Sequence, residues 1–295
     1  MLTRRGFLGA AALGVMAGAS GCVRRDPTVA AGEVATGTAT PPPPAPDLAR
    51  HAAAQAALAS AAAAGTAGSN RLGAFRLRAA HDLAAQAELL APGTASPGAP
   101  GDFATAARAA AADLLAAPAR GTTAARLASA GAYAGAVGAL ASTDAPRTPT
   151  EAASADTVPA GGDAEAMTGL LLQLYPAVYA LETALALATA DDAGWIRTTL
   201  DAHVTARQEL LAELARRSLR APVAEVAYDV GEPAGPEDAI RLVARVEASV
   251  LPAACRLVRA TVEERLRALG ATVLHDATVA TALAGGALPT WPGWA

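Results

Sequence analysis

Between Met167 and Leu187 the apolar residues recur at steps of four and three: Met167, Leu171, Leu174, Val178, Leu181 and Leu185. A helix is the regular structure that gathers such residues on one face, so this stretch must be helical and must bury that face. Three later segments carry the same rhythm. Ile196, Leu200, His203, Arg207, Leu210 and Leu214 form one stripe, and Ala239, Val243, Val246, Val250, Ala253 and Leu257 a second. Val262, Leu266, Leu269, Val273, Asp276, Ala280 and Leu283 form the third. Four striped helices predict a four-helix bundle over residues 163–295, with helices near 163–190, 192–219, 235–260 and 261–284. Asp163 suits an N-cap, and Pro236 suits the first helical position ahead of Glu237 and Asp238. Pro252 and Gly270 are breakers inside two of these helices. The tail Leu288 to Trp294 holds two prolines and cannot be helical; its tryptophans are expected to fold back over the bundle.

The preceding stretch, 48–141, is rich in alanine and nearly free of β-branched runs, which favours helix. Glycine and proline punctuate it into four helices near 47–64, 69–91, 102–117 and 122–141. Their faces are weakly marked because alanine lines every side. The expected fold is therefore all-α: an N-terminal alanine-rich helical unit, a linker at 142–162 and a C-terminal bundle. Pro146, Pro149, Pro159 and Gly161-Gly162 mark that linker.

At the N-terminus, Thr3-Arg4-Arg5-Gly6-Phe7-Leu8 matches a twin-arginine export signal, and the apolar run Phe7 to Ala19 is too short to span a bilayer. Ala19-Ser20-Gly21-Cys22 resembles a bacterial lipoprotein cleavage box, with Ala19 where leucine is usual. Residues 1–21 are then a signal peptide and Cys22 a lipidation site. The implied location is the outer face of the cytoplasmic membrane, reached through the twin-arginine export machinery. Residues 22–47 have no apolar period and hold Pro41-Pro42-Pro43-Pro44. They read as a tether of about 25 residues reaching on the order of 75–80 Å.

The net charge is −4, and Arg4 and Arg5 lie in the signal, so the remainder is more acidic still. No basic face for a nucleic acid is expected. With Cys22 acylated, Cys255 stands alone, and no disulfide framework follows. No glycine-rich phosphate loop, Gly-x-Ser-x-Gly elbow or His-Glu-x-x-His occurs.

His203, Arg207 and Asp276 fall in phase with the apolar stripes. Glu247 lies one position off its stripe, and Tyr175 and Glu182 flank theirs. Buried charges demand partners. Tyr175, His203, Arg207, Glu247 and Asp276 are thus the candidate polar network of the bundle, either satisfying one another or lining a ligand pocket.

The segment 164–295 resembles an uncharacterised ferritin-like domain family of bacterial exported proteins. The resemblance rests on Leu174-Tyr175-Pro176-Ala177-Val178-Tyr179-Ala180, on His203 and Arg207 before Glu209-Leu210-Leu211, and on Ala221-Pro222 through Tyr228. Pro236-Glu237-Asp238-Ala239, Ala244-Arg245-Val246-Glu247 and Trp291-Pro292-Gly293 complete it. It implies a ferritin-like four-helix bundle. Ferritin-like di-iron sites draw on two single glutamates and two Glu-x-x-His pairs. This chain has no Glu-x-x-His, and Tyr175-Pro176 stands where one would be sought. No metal cofactor and no catalytic residue are therefore expected. A structural or interaction role is expected, with the membrane and an envelope protein as partners. The alternative is a divergent bundle that still binds a metal or small ligand through the polar network.

Overall fold

The computed structural model describes residues 47–294, except 66–69, 97, 99–100, 144–145, 153–156 and 158. Arg4, Arg5 and Cys22 lie outside the described residues. Eight helices and two short strands are described. The first four helices are α1 (Leu48–Ala64), α2 (Asn70–Leu90), α3 (Phe103–Leu115) and α4 (Gly121–Ala141). The last four are α5 (Asp163–Leu187), α6 (Ala190–Arg216), α7 (Pro236–Ala260) and α8 (Glu264–Leu283). Strands β1 (Thr150–Ala152) and β2 (Ala287–Pro289) pair in parallel. The fold is all-α.

Local chemistry accounts for the helix ends. Asp47 and Asp102 cap α1 and α3 by accepting from Arg50 N and Ala104 N. Thr189 caps α6, and Pro236 opens α7 where its missing N–H costs nothing. Pro176 and Pro252 sit inside helices that continue past them, because burial of the surrounding stripes outweighs one lost hydrogen bond each. In α5, Met167, Leu171, Leu174, Val178 and Leu181 are all buried, so the stripe faces inward. By length and composition α5 could cross a membrane. Here that apolar character is spent on packing against α6 and α7.

The helices form two rings of neighbours. In the first, α1 packs on α2 and α3, and α4 closes the ring against both. In the second, α5 packs on α6 and α7, and α8 closes it. The order of neighbours is the same in both. The rings share the α4–α8 contact, and the described residues all fall in one compact unit. Described residues of the stretch 142–162, expected as a linker, bond to helices of both rings. Its Pro149 carbonyl accepts from Arg78 of α2 at 3.1 Å, and Arg147 grips Asp192 of α6 through two bonds of 2.7 and 2.8 Å.

α4 is the helix the two rings share. Residues Leu127 to Gly138 of this helix are continuously buried. Alanine, glycine and serine at most of these positions, between Leu127, Tyr133 and Val137, permit this. A Cβ at Gly138 would lie 3.0 Å from the Ala107 Cβ of α3, and one at Gly131 would lie 3.1 Å from the Leu114 Cβ. Close backbone approach replaces bulky interdigitation as the source of packing density.

The C-terminal tail ties the rings together. Tyr133 of α4 and Thr290 of the tail both donate to Asp82 of α2, at 2.6 and 2.7 Å. Gln86 donates to the Thr290 carbonyl and Ser129 to that of Pro292. Trp291 is buried and stacks on Trp294 with centroids 4.9 Å apart, so the tryptophans do fold back. Gly293 makes the turn between them with φ +83°, and a Cβ there would lie 2.6 Å from the Cys255 Cβ and 2.7 Å from the Leu251 carbonyl oxygen. Left-handed backbone and steric overlap both oppose a side chain. Gly293→Ala is expected to cost about 2 kcal/mol in urea denaturation. An unchanged midpoint would show that the tail adds nothing to stability.

Candidate functional site

α6 and α7 stand diagonally across the second ring, yet they meet at its centre. His203 Nε2 lies 2.8 Å from Glu247 Oε2, and both side chains are fully buried. His203 is there because it replaces an apolar residue in the α6 stripe. Glu247, one step off the α7 stripe, shares the broad buried face of Val243, Val246 and Val250. Burial pushes the imidazole pKa down. The Glu247 carboxylate, by charge and hydrogen bond, and the charge of Asp276 together overcome this and hold it above its ordinary value. The far atoms of the pair, His203 Nδ1 and Glu247 Oε1, are buried with no hydrogen-bond partner among the described residues.

The other expected members of the network do not join. Asp276 lies within electrostatic range of His203, but its carboxylate pairs with His275 Nδ1 at 2.9 Å and is about one-third exposed. Tyr175 is buried and donates to the Pro222 carbonyl at 3.1 Å. Burial raises its phenol pKa, the neighbouring Tyr228 raises it further, and the Arg207 charge opposes both. Arg207 is half-buried beside that tyrosine, and Glu182 is exposed. The structure thus brings together His203 and Glu247, with Asp276 at the edge, and leaves Tyr175 and Arg207 outside the pair.

A ferritin-like di-iron centre needs carboxylates and imidazoles from four helices. Among the described residues no group of three or more His, Cys, Asp or Glu is placed to share a metal ion. The residues present do not fit that centre. What the pair can do is hold one proton between two groups sealed from solvent, bracing the diagonal of the bundle.

Two further polar clusters were not foreseen from sequence. Glu213, whose side chain is 1% exposed, accepts from Arg216, Arg217 and Arg265. Arg217 continues to Asp163 at the start of α5 and to Glu263 before α8, at 2.6 and 2.8 Å. Its hydrogen bonds from Arg216 lead the causes that hold the Glu213 carboxyl at about 2. The i+3 and i+4 spacing of Glu213 to Arg216 and Arg217 was the available signal. The second cluster is Asp192, which holds Arg147 and the Trp195 indole. Cys255 is fully buried, and burial pushes its thiol up to about 12, so it is an inert packing residue.

Comparison with curated proteins finds no match. Among solved structures, a conserved hypothetical protein from Mycobacterium tuberculosis is similar at 22% identity. The similarity covers 40% of this chain and 84% of that one, with a TM-score of 0.38. The family comparison falls on the second ring: residues 166–295, from the first turn of α5 through the tail, match a domain of unknown function (DUF4439).

Proposed function

We propose that this protein is an exported, lipid-anchored helical scaffold of the cell envelope, with a degenerate ferritin-like bundle that carries no catalytic centre. The observation that carries the non-catalytic part is the closed His203–Glu247 pair. Two groups suited to acid–base or metal chemistry are spent on each other at 2.8 Å, out of reach of solvent. The Arg4-Arg5 and Cys22 motifs support export through the twin-arginine machinery, with the membrane as the anchoring partner and an envelope protein as the binding partner. The mild acidity of the chain gives no support to a nucleic-acid partner.

Membrane fractionation tests the anchor. The wild type is expected in the membrane fraction and the Cys22→Ser variant in the soluble fraction. Equal retention of the variant would overturn the lipid anchor.

One observation favours a second reading, a bundle that binds a metal or small ligand through Tyr175, His203, Glu247 and Asp276. It is the pair of orphaned buried atoms, His203 Nδ1 and Glu247 Oε1. Metal analysis of the purified protein separates the two. Stoichiometric iron, manganese or zinc that disappears in His203→Ala would replace the scaffold with a binding protein.

A further inference from the structure

A cavity of about 370 Å³ opens at one end of the α4–α8 contact, between the α3–α4 turn and the α7–α8 turn. Its inner wall is hydrocarbon: Leu114, Ala124, Ala128, Val258 and Ala271 are all buried. Val262 extends this wall to the rim, where it is 70% exposed. No aromatic ring lines the cavity, so nothing there would stack on a planar ligand. Methyl and isobutyl walls of this kind accept an unbranched alkyl chain.

The polar lining is charged and unbalanced. Arg120 is exposed at the α3–α4 turn, and Arg267 is half-buried in the first turn of α8. Arg267 donates to the Val262 carbonyl at 3.3 Å. Neither arginine has an ion pair among the described residues. Glu264, the acid that shares the lining, is exposed and pairs with neither. Two guanidinium forks thus stand beside an apolar slot, and a fork is shaped to take a carboxylate or phosphate through two N–H bonds.

The helix directions add to this field. Ala124 and Ala128 near the start of α4 share the cavity with Ala268 and Ala271 near the start of α8. Further along, Gly135 of α4 meets the His275 ring of α8. The two helices thus run side by side in the same direction, and both positive ends fall at this end of the contact. Neither helix has a side-chain cap. A second apolar slot, between α1 and α3, ends at Asp113, already paired with Arg50, and offers no such charge.

We propose that this cavity binds one alkyl chain of an anionic amphiphile, with that chain against the alanine, valine and leucine wall and a carboxylate or phosphate held by Arg120 and Arg267. This goes beyond the scaffold role and does not depend on where the protein is anchored. The head could belong to a free fatty acid or to a membrane phospholipid, and photolabelling distinguishes them.

The full-length chain would be reconstituted in zwitterionic vesicles and irradiated with diazirine-bearing palmitate in one arm and diazirine-bearing phosphatidylglycerol in the other. Expected is labelling of the segments 114–128 and 258–271 that unlabelled competitor of the same lipid abolishes. Competed labelling by palmitate alone assigns a free fatty acid; by phosphatidylglycerol alone, or by both, it extends the site to membrane lipid. The Arg120→Ala/Arg267→Ala double variant is expected to lower the competed labelling about tenfold or more, the loss of at least one charge-assisted contact. Ala268→Phe fills the slot from an exposed position and is expected to block labelling at an unchanged melting temperature. Labelling that resists competition in both arms, maps outside the two segments, or persists in both variants overturns the site.

Discussion

Alanine at position 203 is expected to lower the stability by about 3–5 kcal/mol, the usual cost of breaking a buried charge pair and leaving one partner alone. The stranded partner is Glu247, which has no route to solvent. Urea denaturation of His203→Ala gives the value directly. Replacing both groups, as His203→Leu with Glu247→Met, removes the charge and keeps the volume. That double variant is expected to lie within about 1 kcal/mol of the wild type. A double variant as unstable as the single would show that the pair does more than satisfy itself.

The same pair predicts a pH dependence. The His203 pKa is raised in the folded protein, so its contribution is complete below the unfolded value near 6.5 and fades as pH rises through the folded one. Asp276, the other acid within range, adds to the raising. The urea midpoint of the wild type is therefore expected to fall with rising pH above 6.5. In the double variant that fall should vanish. A wild-type midpoint that climbs over this range would contradict protonated His203 as the stabilising form.

Removing Glu213 is expected to be the second costly change, at about 3 kcal/mol. One carboxylate takes bonds from Arg216, Arg217 and Arg265. Without it, three guanidinium groups crowd each other at the end where α5 starts, α6 stops and α8 begins. Its carboxyl is held at about 2, below its ordinary value of 4.5. The stabilisation is thus present above pH 4.5 and disappears as pH falls toward 2. Acid titration followed by circular dichroism should show the wild type unfolding in this window. Glu213→Gln should lose the part of the transition that depends on this group. An identical acid transition in the variant would remove Glu213 from the account.

The two rings differ in how plainly the sequence announces them. Helices α5 to α8 were visible because Leu, Val and Ile recur with a helical period, and period is a local property. Their ends agree with expectation to within about three residues, the widest differences being the earlier stops of α5 at Leu187 and α6 at Arg216 and the later start of α8 at Glu264. The helices of the first ring were visible from alanine content and punctuation. Their packing was not, since alanine on all sides gives no preferred face. This is why α4, the helix both rings share, looked unremarkable beside α5.

The candidate site was half visible. The α6 stripe placed His203 in the interior and Glu247 lay one position off its own, and buried charge implies a partner. They also admitted Asp276 and Arg207, which end at the margins. Periodicity reports the direction a residue faces on its own helix. It does not report depth, which depends on how closely the next helix approaches. Glu213 escaped notice for a related reason: Arg216 and Arg217 lie in its own neighbourhood, but Arg265 reaches it from α8.

The sequence by itself determined the all-α class, the helix positions and the inward phase of the second ring. These follow from backbone propensity and from a period that only a helix can bury. The tertiary structure decided that the two rings are one unit, that His203 finds Glu247 across a diagonal, and that Arg120 and Arg267 are left beside an apolar slot. Each of these is a meeting of residues distant in the chain. Such meetings depend on the distance between helix axes, and here alanine and glycine set that distance without leaving a periodic trace.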